Sequence, residues 1–137
     1  RPAPADYLEG AQDGEYGYNA CRVPWRLGTD YLLHGDARAL AALRKINAWI
    51  QVKAGGDAGA VIDGYTLAGA DSACAFGFSM AFVAPLAVSA MSDGGNQAWL
   101  NSLWSKMADA PLAGTGYYEN TLKLLSMIVV SGNWWKP

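Results

Sequence analysis

The stretch "FGFSMAFVAPLAVSAM", Phe76 to Met91, is the longest apolar run in the chain. It is interrupted by Pro85 and dotted with Gly and Ser, and it is too short for a membrane span, which needs about 20 predominantly apolar residues. It reads as a helix over Gly77 to Met91 that is apolar on every side, and such a helix is buried on every side. The rest of the fold is arranged around it. Upstream, Pro24 sits where a first helical turn tolerates it, and Leu27, Tyr31 and Leu32 recur at helical spacing until Gly35. Asp36 then caps a second helix whose stripe is Leu40, Leu43, Ile46, Trp49 and Ile50. Downstream, "SDGGN" is a turn, and Gln97 to Asp109 forms a fourth helix with Leu100, Leu103, Trp104 and Met107 inward. A fifth runs over Glu119 to Val130 and stops at Ser131-Gly132, leaving the tail "NWWKP" with two tryptophans to accommodate. Trp49, Trp99 and Trp104 fall at helical spacing and are expected in the core.

The connections alternate. Short turns join helices at one end of the array. At the other end lie three long segments, residues 1–22, 53–76 and 110–118, and long loops are where function concentrates. Segment 53–76 has no helical period, and Ala60–Ile62 and Tyr65–Leu67 are its candidates for short extended pieces. The fold class is all-α.

The 137 residues are enough for one ordinary domain. Apolar residues make up 52%, whereas charged residues are only 16%, so part of the surface is expected to be covered by ligand or by more protein. The formal net charge of −2 and the absence of a basic stripe argue against nucleic acid as a partner, and no membrane span is expected. The opening "RPAPADYLEG" has no apolar stretch of signal-peptide type, and an Arg in first place suggests a processed or excised chain. Cys21 and Cys74 form no zinc-like spacing; two buried thiols are favoured over one disulfide. His34, the only histidine, suits the C-terminus of the first helix, where the dipole favours it.

Chemistry concentrates in "EYGYNACRVPWR", Glu15 to Arg26. The aromatic faces of Tyr16, Tyr18, Trp25, Tyr65, Tyr117, Tyr118, Trp134 and Trp135 could stack on sugar rings, and Arg22 and Arg26 offer planar donor forks. Asp6, Glu9, Asp13 and Glu15 crowd the first loop. Glycoside hydrolysis needs two carboxyl groups flanking the scissile bond. Each residue also has a plainer reading: the aromatics as core, the acids as solvated, Asn19 as the N-cap of the following helix.

"YGYNACRVPWRLGTDYLLHGD", "KINAWI", "SMAFVAPLAVSAM", "QAWLNSLW" and "YYENTLKLLSMIVVSGNWWKP" occur in this order, and together they resemble glycoside hydrolase family 8 over nearly the whole chain. The resemblance implies an (α/α)6 barrel, of which residues 1–137 are the C-terminal portion. It also implies that the general acid lies in an N-terminal part outside this chain, so that hydrolysis requires both. In the best-known branch of that family an aspartate follows the second tyrosine and is the base of an inverting mechanism. Here that position is Asn19, and an amide cannot take a proton from water near neutral pH. A second branch, resembling chitosanases and lichenases, has asparagine there and takes its base glutamate from an adjacent loop. On that pattern Glu9 is the expected general base and Glu15 the alternative. Tyr18, Asn19, Arg22, Tyr117 and Tyr118 are the expected substrate contacts, with no metal and no organic cofactor.

The implied activity is an endo-acting, inverting hydrolysis of a β-linked polysaccharide by a secreted bacterial-type enzyme. Chitosan is the first expectation: the asparagine branch that the chain resembles motivates it, and the acidic loop suits a cationic polymer. A β-1,3-1,4-glucan or cellulose is the alternative, and the N-terminal fragment of the same enzyme is the expected protein partner. A different class, a non-catalytic carbohydrate-binding helical fragment, predicts that adding the missing part restores no hydrolysis.

Overall fold

The computed structural model describes residues 2–112 and 116–134. Five helices follow one another: α1 (Val23–His34), α2 (Ala37–Lys53), α3 (Met80–Ala90), α4 (Gln97–Asp109) and α5 (Tyr117–Val130). Single 3-10 turns lie at Ala58–Ala60 and Gly94–Asn96, and among the described residues extended structure is confined to isolated bridges.

All eleven residues of α3 are buried, and α1, α2, α4 and α5 all pack against it. The helix runs on through Pro85. It begins at Met80 rather than near Gly77. Ser79 is its N-cap, accepting from the Ala81 N–H, and Phe78 is drawn into a bridge with Ile62. At α1 the close approach depends on Gly28, where a Cβ would lie 2.7 Å from Val88 Cγ1 and 3.0 Å from the Val88 carbonyl oxygen. Helix α2 is tied to α3 by a buried polar pair. Asn47 Nδ2 donates to the Ser89 carbonyl at 3.0 Å, and Ser89 Oγ donates to Asn47 Oδ1 at 2.9 Å, so neither group is left unsatisfied.

Helix ends follow their local chemistry. Gly35, at φ 70°, closes α1 with its N–H donating to the Tyr31 carbonyl, and His34 lies in that last turn. Asp36 caps α2 by accepting from the Arg38 and Ala39 N–H groups. Leu43 and Ile50 of the expected stripe are buried, while Leu40, Ile46 and Trp49 are half-buried. In α4, Trp99, Leu103 and Met107 are buried, with Leu100 and Trp104 packed at the margin of the core.

Both cysteines are free. Cys21 is buried, but Cys74 is exposed and not the second buried thiol that was expected. It lies in the long α2–α3 connection, where Gln12 Nε2 donates to its sulfur at 2.8 Å. Trp134 meets Trp25 edge-on at 5.3 Å, joining the end of the chain to α1. Trp135 lies outside the described residues.

The long connections before α1 and between α2 and α3 meet at one end of the helices. There the two are stitched together by a bridge, in which the Tyr16 and Tyr65 backbones exchange hydrogen bonds of 2.9 and 3.1 Å.

Candidate active site

The loop that precedes α1 is organised by Asp13. One oxygen of its carboxylate accepts from three successive backbone N–H groups, Leu8 at 2.6 Å, Glu9 at 2.8 Å and Gly10 at 3.3 Å. Those bonds, led by the one from Glu9, hold the Asp13 carboxyl below its ordinary value. The turn sets Glu9 facing Asn19, whose Nδ2 donates to Glu9 Oε2 at 2.7 Å. Asn19 is therefore not the cap of α1. The N-cap position is Arg22, with no side-chain cap bond. Asn19 spends its amide on the carboxylate instead, fixing one oxygen of the exposed Glu9.

Glu9, Asn19, Glu15, Tyr18 and Asp63 line one hollow of about 330 Å³, at the low end of the roughly 300–1,000 Å³ typical of small-molecule sites. Glu15 differs from Glu9. One of its carboxylate oxygens is buried without a hydrogen-bond partner, which departs from the plain reading of a solvated turn residue. Glu15 and Asn19 also border a second, more apolar hollow walled by Val23, Ile46, Trp49 and Leu67.

Tyr18 stands half-exposed over the site. Its ring meets Phe82 edge-on at 5.2 Å, and its hydroxyl lies 3.3 Å from Asp63 Oδ2 and 3.4 Å from Ser79 Oγ. Burial is the main cause raising its phenol pKa, and the negative charges of Asp63 and Glu119 add to it. Tyr118 lies 6.2 Å from Tyr18 between ring centres, with the Arg22 guanidinium 5.9 Å from its own centre. Its hydroxyl is 3.3 Å from the Cys21 sulfur. Partial burial, with that hydrogen bond second, pushes the Tyr118 phenol up to about 12, so it stays protonated through the neutral range.

Of the residues expected at the site, Glu9, Asn19, Tyr18, Arg22 and Tyr118 thus form one connected group. Tyr117 is turned away. It is 87% exposed and borders a different hollow, between α4 and α5, with Met107 and Leu124. Tyr16 and Tyr65 are core rather than sugar platforms. Tyr65 is 1% exposed and packs edge-on against Trp49, while the Tyr16 hydroxyl is buried and its ring meets Phe82. Sequence reasoning missed Asp13, Asp63 and Glu119 as organisers of the site. Asp13 carries a local signal, an Asp three to five residues beyond the N–H groups it collects in a glycine-flanked turn. The other two act across long stretches of sequence and carry none.

Among the described residues no three His, Cys, Asp or Glu side chains gather as a cation site would require, and no helix is long and apolar enough to cross a membrane.

No family model matches the chain. It is 54% identical over 135 residues to a β-glucanase of Niallia circulans, covering 98% of this chain and 32% of that protein. It is 34% identical over 139 residues to an endoglucanase of Bacillus sp. strain KSM-330, covering 29% of that protein. The chain thus spans about a third of the length of these relatives. Among solved structures, the apo β-1,3-1,4-glucanase of Paenibacillus sp. X4 superposes with a TM-score of 0.91 at 52% identity, over all of this chain and 35% of that one. Rex8A of Paenibacillus barcinonensis, complexed with xylose, shares the fold at a TM-score of 0.72 and 22% identity.

Proposed function

We propose that this chain is the C-terminal portion of a secreted, endo-acting, inverting glycoside hydrolase of family 8, and that its substrate is a β-glucan, foremost a mixed-linkage β-1,3-1,4-glucan. The observation that carries the reading is the likeness, over its entire length, to a β-1,3-1,4-glucanase at 52% identity and a TM-score of 0.91. It favours glucan over chitosan, the first expectation from the acidic loop. The acidic loop supports chitosan less than its composition suggests, because Asp13, one of its four acids, is turned inward to its own backbone N–H groups rather than offered to a cationic polymer.

In this mechanism Glu9 is the general base. Asn19 holds its Oε2, so Oε1 is the oxygen that takes a proton from the attacking water. The proton donor to the leaving oxygen belongs to the remainder of the (α/α)6 barrel, an N-terminal part that is the partner required for turnover. Inversion requires the two carboxyl groups to stand about 6.5–9.5 Å apart, leaving room for the water. Tyr18, Asn19, Arg22 and Tyr118 contact the sugar. Tyr117 remains a contact only for a chain of sugars long enough to reach the α4–α5 hollow.

The test is an assay of the complete polypeptide on barley β-glucan, carboxymethylcellulose and chitosan. Release of products of inverted anomeric configuration from barley glucan is expected. Hydrolysis of chitosan alone would overturn the substrate, and no hydrolysis of any of the three would overturn the enzyme class in favour of a binding module.

A further inference from the structure

Behind Tyr18 runs a chain of hydrogen bonds that no part of the base mechanism uses. Asp63 is 6% exposed. Its Oδ1 accepts from the Phe76 N–H at 2.7 Å and the Gly77 N–H at 3.0 Å, which leaves Oδ2 for the Tyr18 hydroxyl at 3.3 Å. Ser79 Oγ, the second neighbour of that hydroxyl, donates at 2.6 Å to Glu119 Oε1, which also accepts from the Met80 N–H at 3.1 Å. A serine hydroxyl has one proton, and here it is committed to Glu119. Towards Tyr18, therefore, Ser79 can only accept. A carboxylate also only accepts. Both neighbours of the Tyr18 oxygen can only accept from it, so its single proton is committed to them and neither supplies a donor to its lone pairs.

We propose that Asp63, and Glu119 acting through Ser79, are positioning residues that orient the Tyr18 hydroxyl so that it receives, rather than gives, a hydrogen bond from a hydroxyl group of the bound sugar. This rests on the reading of the site as a glucan-hydrolysing one. It deepens that reading by assigning a polarity to one contact: the site selects a sugar donor at this point. Asp63 and Glu119 come from the α2–α3 connection and from α5, so the polarity of a residue in the first loop is set by two other segments of the chain.

Asp63→Asn tests it. The amide oxygen keeps the Phe76 and Gly77 N–H groups, while the amide nitrogen now donates to Tyr18 and forces the phenol proton elsewhere. In the complete polypeptide, kcat/KM on barley glucan is expected to fall about tenfold, roughly the worth of one hydrogen bond of this kind. In a Tyr18→Phe background the same substitution is expected to change it less than about twofold, because the group it acts through is gone. Equal losses in both backgrounds would show that Asp63 merely clasps the loop, and no loss in either would remove it from the site; both overturn the proposal. A second readout needs no substrate. With [13Cζ]tyrosine labelling, the ionisation of Tyr18 is expected to move to lower pH in Asp63→Asn, since a negative charge that opposes the phenolate is removed. A titration that does not move would overturn the coupling even if catalysis were altered. If the unsubstituted polypeptide hydrolyses no glucan, the functional reading fails on its own, and the labelled titration still decides whether Asp63 governs the hydroxyl.

Discussion

Asn19 is the residue on which the proposed mechanism turns. Its amide reaches a glutamate ten positions upstream, and the 2.7 Å contact makes the pair a single unit. Replacing the amide by a second carboxylate, Asn19→Asp, would set two like charges in hydrogen-bond contact. One of the two must then retain a proton well above its ordinary range. The acidic limb of the kcat/KM profile is therefore expected to move, and an unmoved limb would mean that Glu9 and Asn19 are apart in the working enzyme. Glu9→Gln is expected to lower kcat by about 10²–10⁴, the usual worth of a general base, with substrate still bound. If turnover survives there and is lost in Glu15→Gln, the base is Glu15, whose buried, unpartnered oxygen would then have its explanation. Single residues were partly legible from sequence. Tyr18, Arg22 and Asn19 lie in one short motif, but Tyr16 and Tyr65 looked equally suitable as sugar platforms. What buries them, Phe82 and Trp49, is remote in sequence and cannot be seen from the motif.

Helices were more legible than the loops that carry the site. Helix α4 spans Gln97–Asp109 as its periodicity requires, because a turn and an Ala-Pro pair bound it. The connection between α2 and α3 has no period to read, and its form depends on bridges to Tyr16 and Phe78. Two consequences belong to this scale. The first-loop turn depends on an ionised Asp13. Its carboxyl lies below its ordinary value in the folded chain, so its contribution is complete above about pH 3.9, the unfolded value, and is lost as pH falls through the folded one. Protection of the Leu8 and Glu9 amides from exchange, relative to their intrinsic rates, is expected to be lost selectively under acid, and Asp13→Asn should show that loss at neutral pH. Exchange at these two amides that is indifferent to both would remove Asp13 from its organising role. Where α1 crosses α3, Gly28→Ala would drive a methyl group into Val88, including its backbone. Overpacking of this kind costs about 1–3 kcal/mol, read as a lowered midpoint in urea.

At the scale of the molecule, two observations pull in different directions. Helix α3 is buried on every side by neighbours within the chain, so the piece possesses a core of its own. Yet Leu32 is 40% exposed on α1 and Leu124 60% exposed on α5, and the low share of charged residues leaves little to solvate such faces. The chain also covers about a third of the length of its relatives. A complete core with uncovered flanks is what a sector of a larger helical ring would show. The chain produced alone is therefore expected to give a helical circular dichroism spectrum, to self-associate on a sizing column, and to hydrolyse no glucan, because the proposed mechanism places only one of the two carboxyl groups in it. Supplying the remainder of the polypeptide should restore both a defined size and turnover. Charged substitutions at Leu32 and Leu124 should dissolve the self-association of the isolated chain while hindering that reconstitution. Hydrolysis of barley glucan by the isolated chain would refute this division of labour, since both acid and base would then have to be found among Glu9, Glu15, Asp63 and Glu119.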